Sequence, residues 1–245
     1  MTEASGGVQS LHRALDVLEG LAAAGGTASL SDVATACGLP LPTVHRLAST
    51  LADRGYLRRL PDRRYCLGSR LVPLGAEAHA LLGERAMPVL RVLAGLTGES
   101  ANLAVLTQGR AEYVSQAQGR HAMRIFTEVG NRVELYCTGV GKALLAVLPP
   151  ERASQLIAAA DLVARTPATI TDPAALHAEL DLIRVRGYAL DEGEMEAGVR
   201  CVAVGIGGAV PMAVSVSGPA ARMTDALVEV ALGGLRTAAA QLVGR

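Results

Sequence analysis

The chain has 245 residues, half of them hydrophobic, with five Tyr, one Phe and no Trp. Its 23 basic residues are balanced by 23 acidic ones, so it is not a polycation, and with so few aromatics it does not hold nucleic acid mainly by base stacking. The length suits two domains whose cores are built from Leu, Val and Ala.

The first ten residues, "MTEASGGVQS", lack the basic start and apolar run of a signal peptide and read as a loose tail. In "VQSLHRALDVLEGLAAAGG", Val8, Leu11, Leu15, Leu18 and Leu21 recur at helical spacing, and Gly25-Gly26 ends the run. Ser29 or Ser31 caps a short second helix, "SDVATACG". Gly38 makes a tight turn, Pro40 keeps the chain extended, and a third helix runs from about Pro42 to Asp53. The arms "YLRRL" and "RRYCL" flank Pro61-Asp62 and read as a hairpin.

"SRLVPLGAEAHALL" (69–82) reads as a helical connector interrupted at Pro73 and Gly75, with Pro88 opening another helix. Strand-like runs follow at "ANLAVLT", "AEYVSQAQ" and "AMRIFTEV", the first two separated by Gln108-Gly109. Helical runs come at "GKALLAVLPP", "PERASQLIAAA" and "DPAALHAELDLIRVRG", the last capped by Asp172 and stopped by Gly187. Two more strands, "RCVAVGIG" and "PMAVSVSG", precede an amphipathic helix capped by Thr224. Helices gathered between strands predict an α+β second domain. The expected division is 1–68, a linker over 69–82, and 83–245.

Charge is unevenly placed. Between Leu41 and Arg70 the bases Arg46, Arg54, Arg58, Arg59, Arg63, Arg64 and Arg70 meet only Asp53 and Asp62, seven against two, or about +5. On the third helix Val44, Leu47, Ala48 and Leu51 form one face, leaving Thr43, His45, Arg46, Ser49 and Thr50 outward with no carboxylate among them. Such a face approaches DNA without repulsion. Arg46 suits a guanine edge, and Thr43 or Ser49 a base edge or phosphate. Arg58, Arg59, Arg63 and Arg64 on the hairpin suit phosphates or a narrow minor groove.

Catalysis finds little support. "GVGKA" ends like a phosphate loop, but Tyr136 stands where its first glycine belongs and Ala143 where Ser or Thr would hold magnesium. "GIGGAV" is followed by Pro211 and a strand, not the helix of a dinucleotide site. Cys37, Cys66, Cys137 and Cys201 form no CxxC pair and read as free thiols of a reducing cytosol. The cysteines and five histidines make no metal constellation, so no cofactor is expected. No stretch approaches 18 uninterrupted apolar residues. A binding pocket is better supported. Ser215 and Ser217 share one strand face and Val214 and Val216 the other; the alternation leaves open whether the serines meet a ligand or solvent. Amides of Gly139-Val140-Gly141, ahead of a helix from Lys142, suit an anion.

"VQSLHRALDVLEGLA", "TVHRLASTLADRGYLRR" and "YCLGSRLVPLG" resemble the winged helix-turn-helix of the isocitrate-lyase-regulator (IclR) family of bacterial transcription factors. "ELYCTGVGKALLA", "GYALDEGEMEAGVRCVAVGI" and "AVSVSGPAARM" are similar to that family's effector-binding domain. The resemblance spans about Val8 to Arg222. It implies an α+β fold: an N-terminal, all-helical winged helix-turn-helix and a C-terminal α+β effector-binding domain with a curved antiparallel sheet of GAF/profilin-like kind. It also implies dimerisation through the DNA-binding half, often as a dimer of dimers, and a small organic-acid effector. The family's pocket positions fall on Val140, Gly141, Asp191, Cys201, Ser215 and Ser217, with Val199 as an apolar wall. Where family members often carry "HATAAGKA"-like text this chain has "YCTGVGKA", so Tyr136, Cys137 and Val140 are expected to reshape the pocket. An ionised Asp191 would repel a dianion, so the expected effector is a monoacid bearing a hydroxyl or similar donor.

The expected function is therefore a DNA-binding regulator whose operator affinity follows an effector, relayed through the connector. The competing readings are a metabolite-binding module whose helix-turn-helix serves only dimerisation, and an enzyme acting on the bound acid.

Overall fold

The computed structural model describes residues 8–121 and 128–243. The chain divides into two compact units, Met1–Ala78 and His79–Arg245.

The first unit opens with α1 (Gln9–Ala23), whose inward residues are Val17 and Leu21. Val8, Leu11 and Leu15, which share the helical spacing of Leu18 and Leu21, are 66, 60 and 46 % exposed within the chain. The spacing is that of a helix, but three of the five residues at it lie outside this unit's own core. A two-residue strand, β1 (Thr27–Ala28), leads into α2 (Leu30–Cys37). Ser29 Oγ accepts the Asp32 amide at its start, and Gly38, left-handed at φ 62°, ends it. α3 (Leu41–Asp53) follows directly, with Pro42 in its first turn. Val44 and Ala48 are fully buried against Val17, Leu21 and Val33, while Leu47 and Leu51 are partly covered. β2 (Leu57–Arg59) and β3 (Tyr65–Leu67) form the hairpin. Its turn is closed by the Arg63 amide donating to the Leu60 carbonyl at 3.0 Å, with Arg63 itself at φ 67°. β1 adds to β3, pairing Thr27 with Cys66 and Ala28 with Tyr65. The helical unit thus carries a three-stranded sheet, ordered β1-β3-β2, and not a bare hairpin.

The expected interruptions in the connector are absent. α4 runs unbroken from Leu71 to Thr97. Pro73 occupies its first turn, where no intrahelical acceptor is needed for its missing N–H. Gly75 is simply helical. Pro88 does not open a helix; it lies inside α4 and leaves the Glu84 carbonyl without its helical donor.

The second unit is built on one antiparallel sheet, curled like half a barrel, in the order β6-β5-β4-β9-β8-β7. β4 (Ser100–Thr107) and β5 (Arg110–Ala117) form a hairpin over Gln108-Gly109, both with positive φ, a type I′ turn matched to strand twist. β6 (Arg132–Val133) extends one edge. Of the run "AMRIFTEV", residues 122–127 lie outside the described residues. β8 (Val199–Ile206) and β9 (Met212–Pro219) are two further long inner strands. β7 (Ala189–Asp191), which the sequence does not announce, forms the other edge.

One face of this sheet carries Leu103, Val105, Val202, Val204, Val214 and Val216 against α4 and α8 (Asp225–Val243). α8 is long and apolar enough to cross a bilayer by length and composition. Its Val228, Leu232 and Leu235 are instead packed in this core. The other face is lined by small residues, Ala104, Ala189, Ala203 and Ala213, against α5 (Gly139–Val147), α6 (Pro150–Ala159) and α7 (Pro173–Arg186). Small side chains let α5 lie close: a Cβ at Gly205 would meet the Ala143 carbonyl at 2.4 Å. Each buried Leu of α5 and α7 contributes roughly 1.5–3 kcal/mol by its removal from water.

Candidate functional site

Two places gather the residues with chemistry to offer, one in each unit. In the first, His45, Arg46, Ser49 and Thr50 all lie on the exposed side of α3, opposite Val44 and Ala48, and Thr43 is half-buried. Thr50 Oγ1 donates back to the Arg46 carbonyl at 3.1 Å, so its hydroxyl hydrogen is engaged while its oxygen still accepts. Arg58, Arg59, Arg63 and Arg64 are exposed on the wing. Among the described residues no ion pair involves Arg46 or any of these four. One wing arginine is tethered without being neutralised: Arg64 donates a guanidinium N–H to the Thr27 carbonyl at 3.0 Å, which also fastens β1 to the hairpin. This end of a neutral chain therefore presents uncompensated positive charge beside an acid-free helix face, which is what a phosphate-lined groove requires.

In the second unit, strand registers bring the scattered residues together. Asp191 lies opposite Cys201, Cys201 opposite Ser217, and Ser215 opposite both Ala203 and Asn102. Asp191, Val199, Cys201, Ser215 and Ser217 therefore occupy the alanine-lined face, at the end nearest the start of α5. Ser215 and Ser217 are buried, so the solvent-face alternative for this row does not apply. α5 covers the row from above. Its Gly139 sits so near Cys201 that a Cβ there would be 2.9 Å from the sulfur.

α5 begins at Gly139, three residues before the expected start, with Thr138 as its cap. Thr138 Oγ1 already accepts the Gly141 amide at 3.1 Å. Gly141 is needed for a second reason: a Cβ there would meet the Leu135 backbone at 2.4 Å. Its amide is therefore not open to an anion. The first-turn amides without an intrahelical acceptor are those of Gly139 and Val140, and Val140 is fully buried.

Asp191 is 3 % exposed, and its Oδ1 accepts the Glu194 amide at 2.7 Å. Burial pushes its carboxyl above the usual range. The Glu194 amide, the Lys142 charge and the neighbouring amides of Gly193 and Met195 pull it part of the way back. Asp191 thus organises the 191–198 loop as well as lying on the alanine-lined face of the sheet. Burial raises the Cys201 thiol to about 12 and the Cys137 thiol to about 11, Asp191 adding to both, so each is a neutral thiol at physiological pH. Cys137 Sγ lies 3.6 Å from Met195 Sδ, against the same loop. Tyr136 is otherwise engaged, its hydroxyl donating to the Val163 carbonyl at 2.8 Å.

Three residues of this neighbourhood escape the sequence reading: Asn102, Gln116 and Tyr113. Asn102 Nδ2 donates to Ser217 Oγ at 3.1 Å and Gln116 Nε2 to Asn102 Oδ1 at 3.0 Å. Tyr113, 7 % exposed, has its phenol pushed upward by burial, with Cys201 and Asp191 adding to the shift. A polar residue in the alternating run "ANLAVLT" was the available signal for Asn102. Among the described residues no group of three or more His, Cys, Asp or Glu is arranged to hold a metal ion.

A helix-turn-helix with a charged wing, followed by an α+β unit whose buried sheet face carries a polar row, defines a two-domain DNA-binding transcriptional regulator. Residues 10–61 match the IclR helix-turn-helix domain and residues 78–243 the bacterial transcriptional regulator IclR C-terminal domain. The chain belongs to the IclR family of transcriptional regulators, its second domain being the family's effector-binding domain. It is 39 % identical over 230 residues to the HTH-type transcriptional regulator BhcR of Paracoccus denitrificans, covering 91 % of this chain and 82 % of that one. It is 36 % identical over 231 residues to the transcriptional repressor IclR of Escherichia coli, covering 91 % and 84 %. Among solved structures, Thermotoga maritima IclR superposes with a TM-score of 0.65 at 28 % identity, covering 95 % of this chain and 96 % of that one. An IclR homologue from Microbacterium hydrocarbonoxydans, crystallised with 4-hydroxybenzoate, gives 0.61 at 27 % identity, covering 96 % and 97 %.

Proposed function

We propose that this regulator reads its operator with Thr43, His45, Arg46, Ser49 and Thr50 of α3 in the major groove. Arg58, Arg59, Arg63 and Arg64 of the wing rest on flanking phosphates or in the minor groove. The observation that carries this reading is the set of arginines without ion pairs beside a helix face that carries no carboxylate. Residues 1–68 form the reading domain, 69–82 the linker and 83–245 the sensor. The protein works in the cytoplasm as a homodimer or a dimer of dimers, so that paired reading heads meet two half-sites. The exposed Val8, Leu11 and Leu15 of the first unit support such pairing, since apolar side chains at helical spacing favour burial against a partner.

The effector is a small organic monoacid held by Asp191, Val199, Cys201, Ser215, Ser217 and the first turn of α5 at Val140. The Gly139 amide takes the place first expected of Gly141. The acid of one relative's crystal, 4-hydroxybenzoate, is of this class. A ligand that fits one arrangement of the protein better shifts the population toward it, and operator affinity changes with that shift. Gel shifts of the full-length protein on its own upstream DNA test the first half. Calorimetry with lactate, 2-oxobutyrate and 4-hydroxybenzoate, followed by the same gel shifts with the acid that binds, tests the second. Binding to no upstream DNA beyond the level of random DNA removes the operator reading. Binding of no acid removes the effector reading.

A further inference from the structure

Asn102 is 1 % exposed in the middle of β4, among Ala, Leu and Val. The registers set it opposite Ser215 on β9 and opposite Gln116 on β5, so the three residues lie on adjacent strands and one face. Its Nδ2 donates to Ser217 Oγ at 3.1 Å and reaches Ser215 Oγ at 3.5 Å. Its Oδ1 accepts from Gln116 Nε2 at 3.0 Å. The donors run one way, from Gln116 to Asn102 and from Asn102 to the serines. A donor at the Asn102 carbonyl turns the Asn102 amino group toward the serines. A serine oxygen that accepts from that amino group points its own hydrogen elsewhere.

We infer that Asn102 is a positioning residue that holds Ser215 and Ser217 as hydrogen-bond donors toward the bound effector, so that the pocket selects a carboxylate over the uncharged amide of the same shape. This rests on the reading above that the serine row meets the effector's acid group. Were Asn102 turned the other way, its carbonyl would accept both hydroxyl hydrogens. The serines would then show only lone pairs, which repel carboxylate oxygens and welcome an amide N–H. Among the described residues the nearby Lys142 is tied to Glu194, and Asp191 is itself an acceptor. Donor direction, set two strands away by Gln116, decides which ligand the site prefers.

The experiment uses the full-length protein and two acid–amide pairs, lactate with lactamide and 4-hydroxybenzoate with 4-hydroxybenzamide. The pair whose acid binds the wild type more tightly is carried forward by calorimetry. The wild type should prefer the acid by about tenfold or more. In Asn102→Ala the acid should weaken by at least about fivefold while the amide stays within about twofold, so that the preference collapses. Gln116→Met keeps Asn102 but removes the group that orients it, and should give the same collapse; it carries the test alone if Asn102→Ala does not fold. A parallel loss for acid and amide, an unchanged preference, or a wild type that prefers the amide overturns the inference and leaves the pocket in place. A wild type that binds neither acid nor amide overturns the pocket itself.

Discussion

The ammonium of Lys142, in the second turn of α5, is ion-paired with Glu194 Oε1 on the 191–198 loop, with the two residues 1 and 5 % exposed. Glu194 Oε2 is a buried side-chain oxygen with no hydrogen-bond partner, and the Glu194 backbone amide is the one that caps Asp191. Burial raises the Glu194 carboxyl above its usual value, and Lys142 opposes the rise. The pair therefore clamps the loop to the helix that roofs the polar row, at a cost in desolvation.

Removing one partner should expose that cost. Lys142→Met leaves a buried unpaired carboxylate and should destabilise the second unit by about 3–5 kcal/mol at pH 7. Adding Glu194→Leu should restore most of the loss. The sign with pH follows from the raised carboxyl. In the single variant stability should recover as pH falls toward the ordinary carboxylate range, because the folded state then takes up a proton before the unfolded chain does. Denaturant unfolding at pH 5 and 7 checks this; a cost below about 1 kcal/mol in the single variant would show that the pair is not the clamp.

The two kinds of arginine should separate by salt and by sequence. Arg46→Ala should lower operator affinity by about 1–3 kcal/mol and narrow the gap between operator and random DNA. Arg63→Ala should weaken both DNAs alike and reduce the salt dependence of binding by about one counterion. Fluorescence anisotropy across a salt series reads both. Variants that match the wild type on both DNAs would contradict the docking on α3 and the wing.

Asp191 serves a loop and, on our proposal, a ligand. Asp191→Asn keeps an acceptor for the Glu194 amide and should leave the melting temperature nearly unchanged while weakening binding of a hydroxy acid. Asp191→Ala should lose both, with about 1–3 kcal/mol of stability gone with the orphaned amide. Thermal melting and calorimetry distinguish the two. Wild-type affinity in both variants would remove Asp191 from the pocket and leave it as a loop residue.

Cys201, ordinarily titrating near 9 and raised to about 12 by burial and by Asp191, stays protonated over a range in which the unfolded chain ionises. The unfolded state then binds fewer protons, so stability falls as pH climbs from about 9 toward 12. Cys201→Ser should flatten that decline, read by denaturant unfolding between pH 8 and 10.5. An alkaline slope identical to the wild type would mean the thiol is not held neutral.

Much of this was legible along the chain. Ser29 or Ser31, Asp172 and Thr224 marked helix starts, Gly38 and Gly187 marked ends, and the arginine-rich arms around Pro61-Asp62 marked the wing, because caps, turns and charge act over three or four residues. The alternation of Ser215 and Ser217 with Val214 and Val216 placed the serines on one strand face. Longer-range matters were not legible. Pro73 and Pro88 look like breaks in sequence, yet α4 absorbs both: Pro73 falls in the first turn, where no helical bond is lost, and tertiary packing holds the helix together across the bond missing at Pro88. The two-residue β1 and three-residue β7 are too short to show a period and exist because a neighbouring strand offers an edge.

The composition of the reading helix and its wing, and the spacing of the polar residues on β8 and β9, are properties of short segments, so local chemistry was enough to determine them. The polar row itself is another matter. Strict alternation sends Tyr113 and Gln116, three residues apart, to opposite faces. The register of β5 against β4 slips between Leu103 and Ala104, so that Tyr113 faces Ala104 and Gln116 faces Asn102, both on the side of the polar row. One extra residue in one strand reverses the alternation for all that follow, and only pairing with the next strand decides where that residue goes.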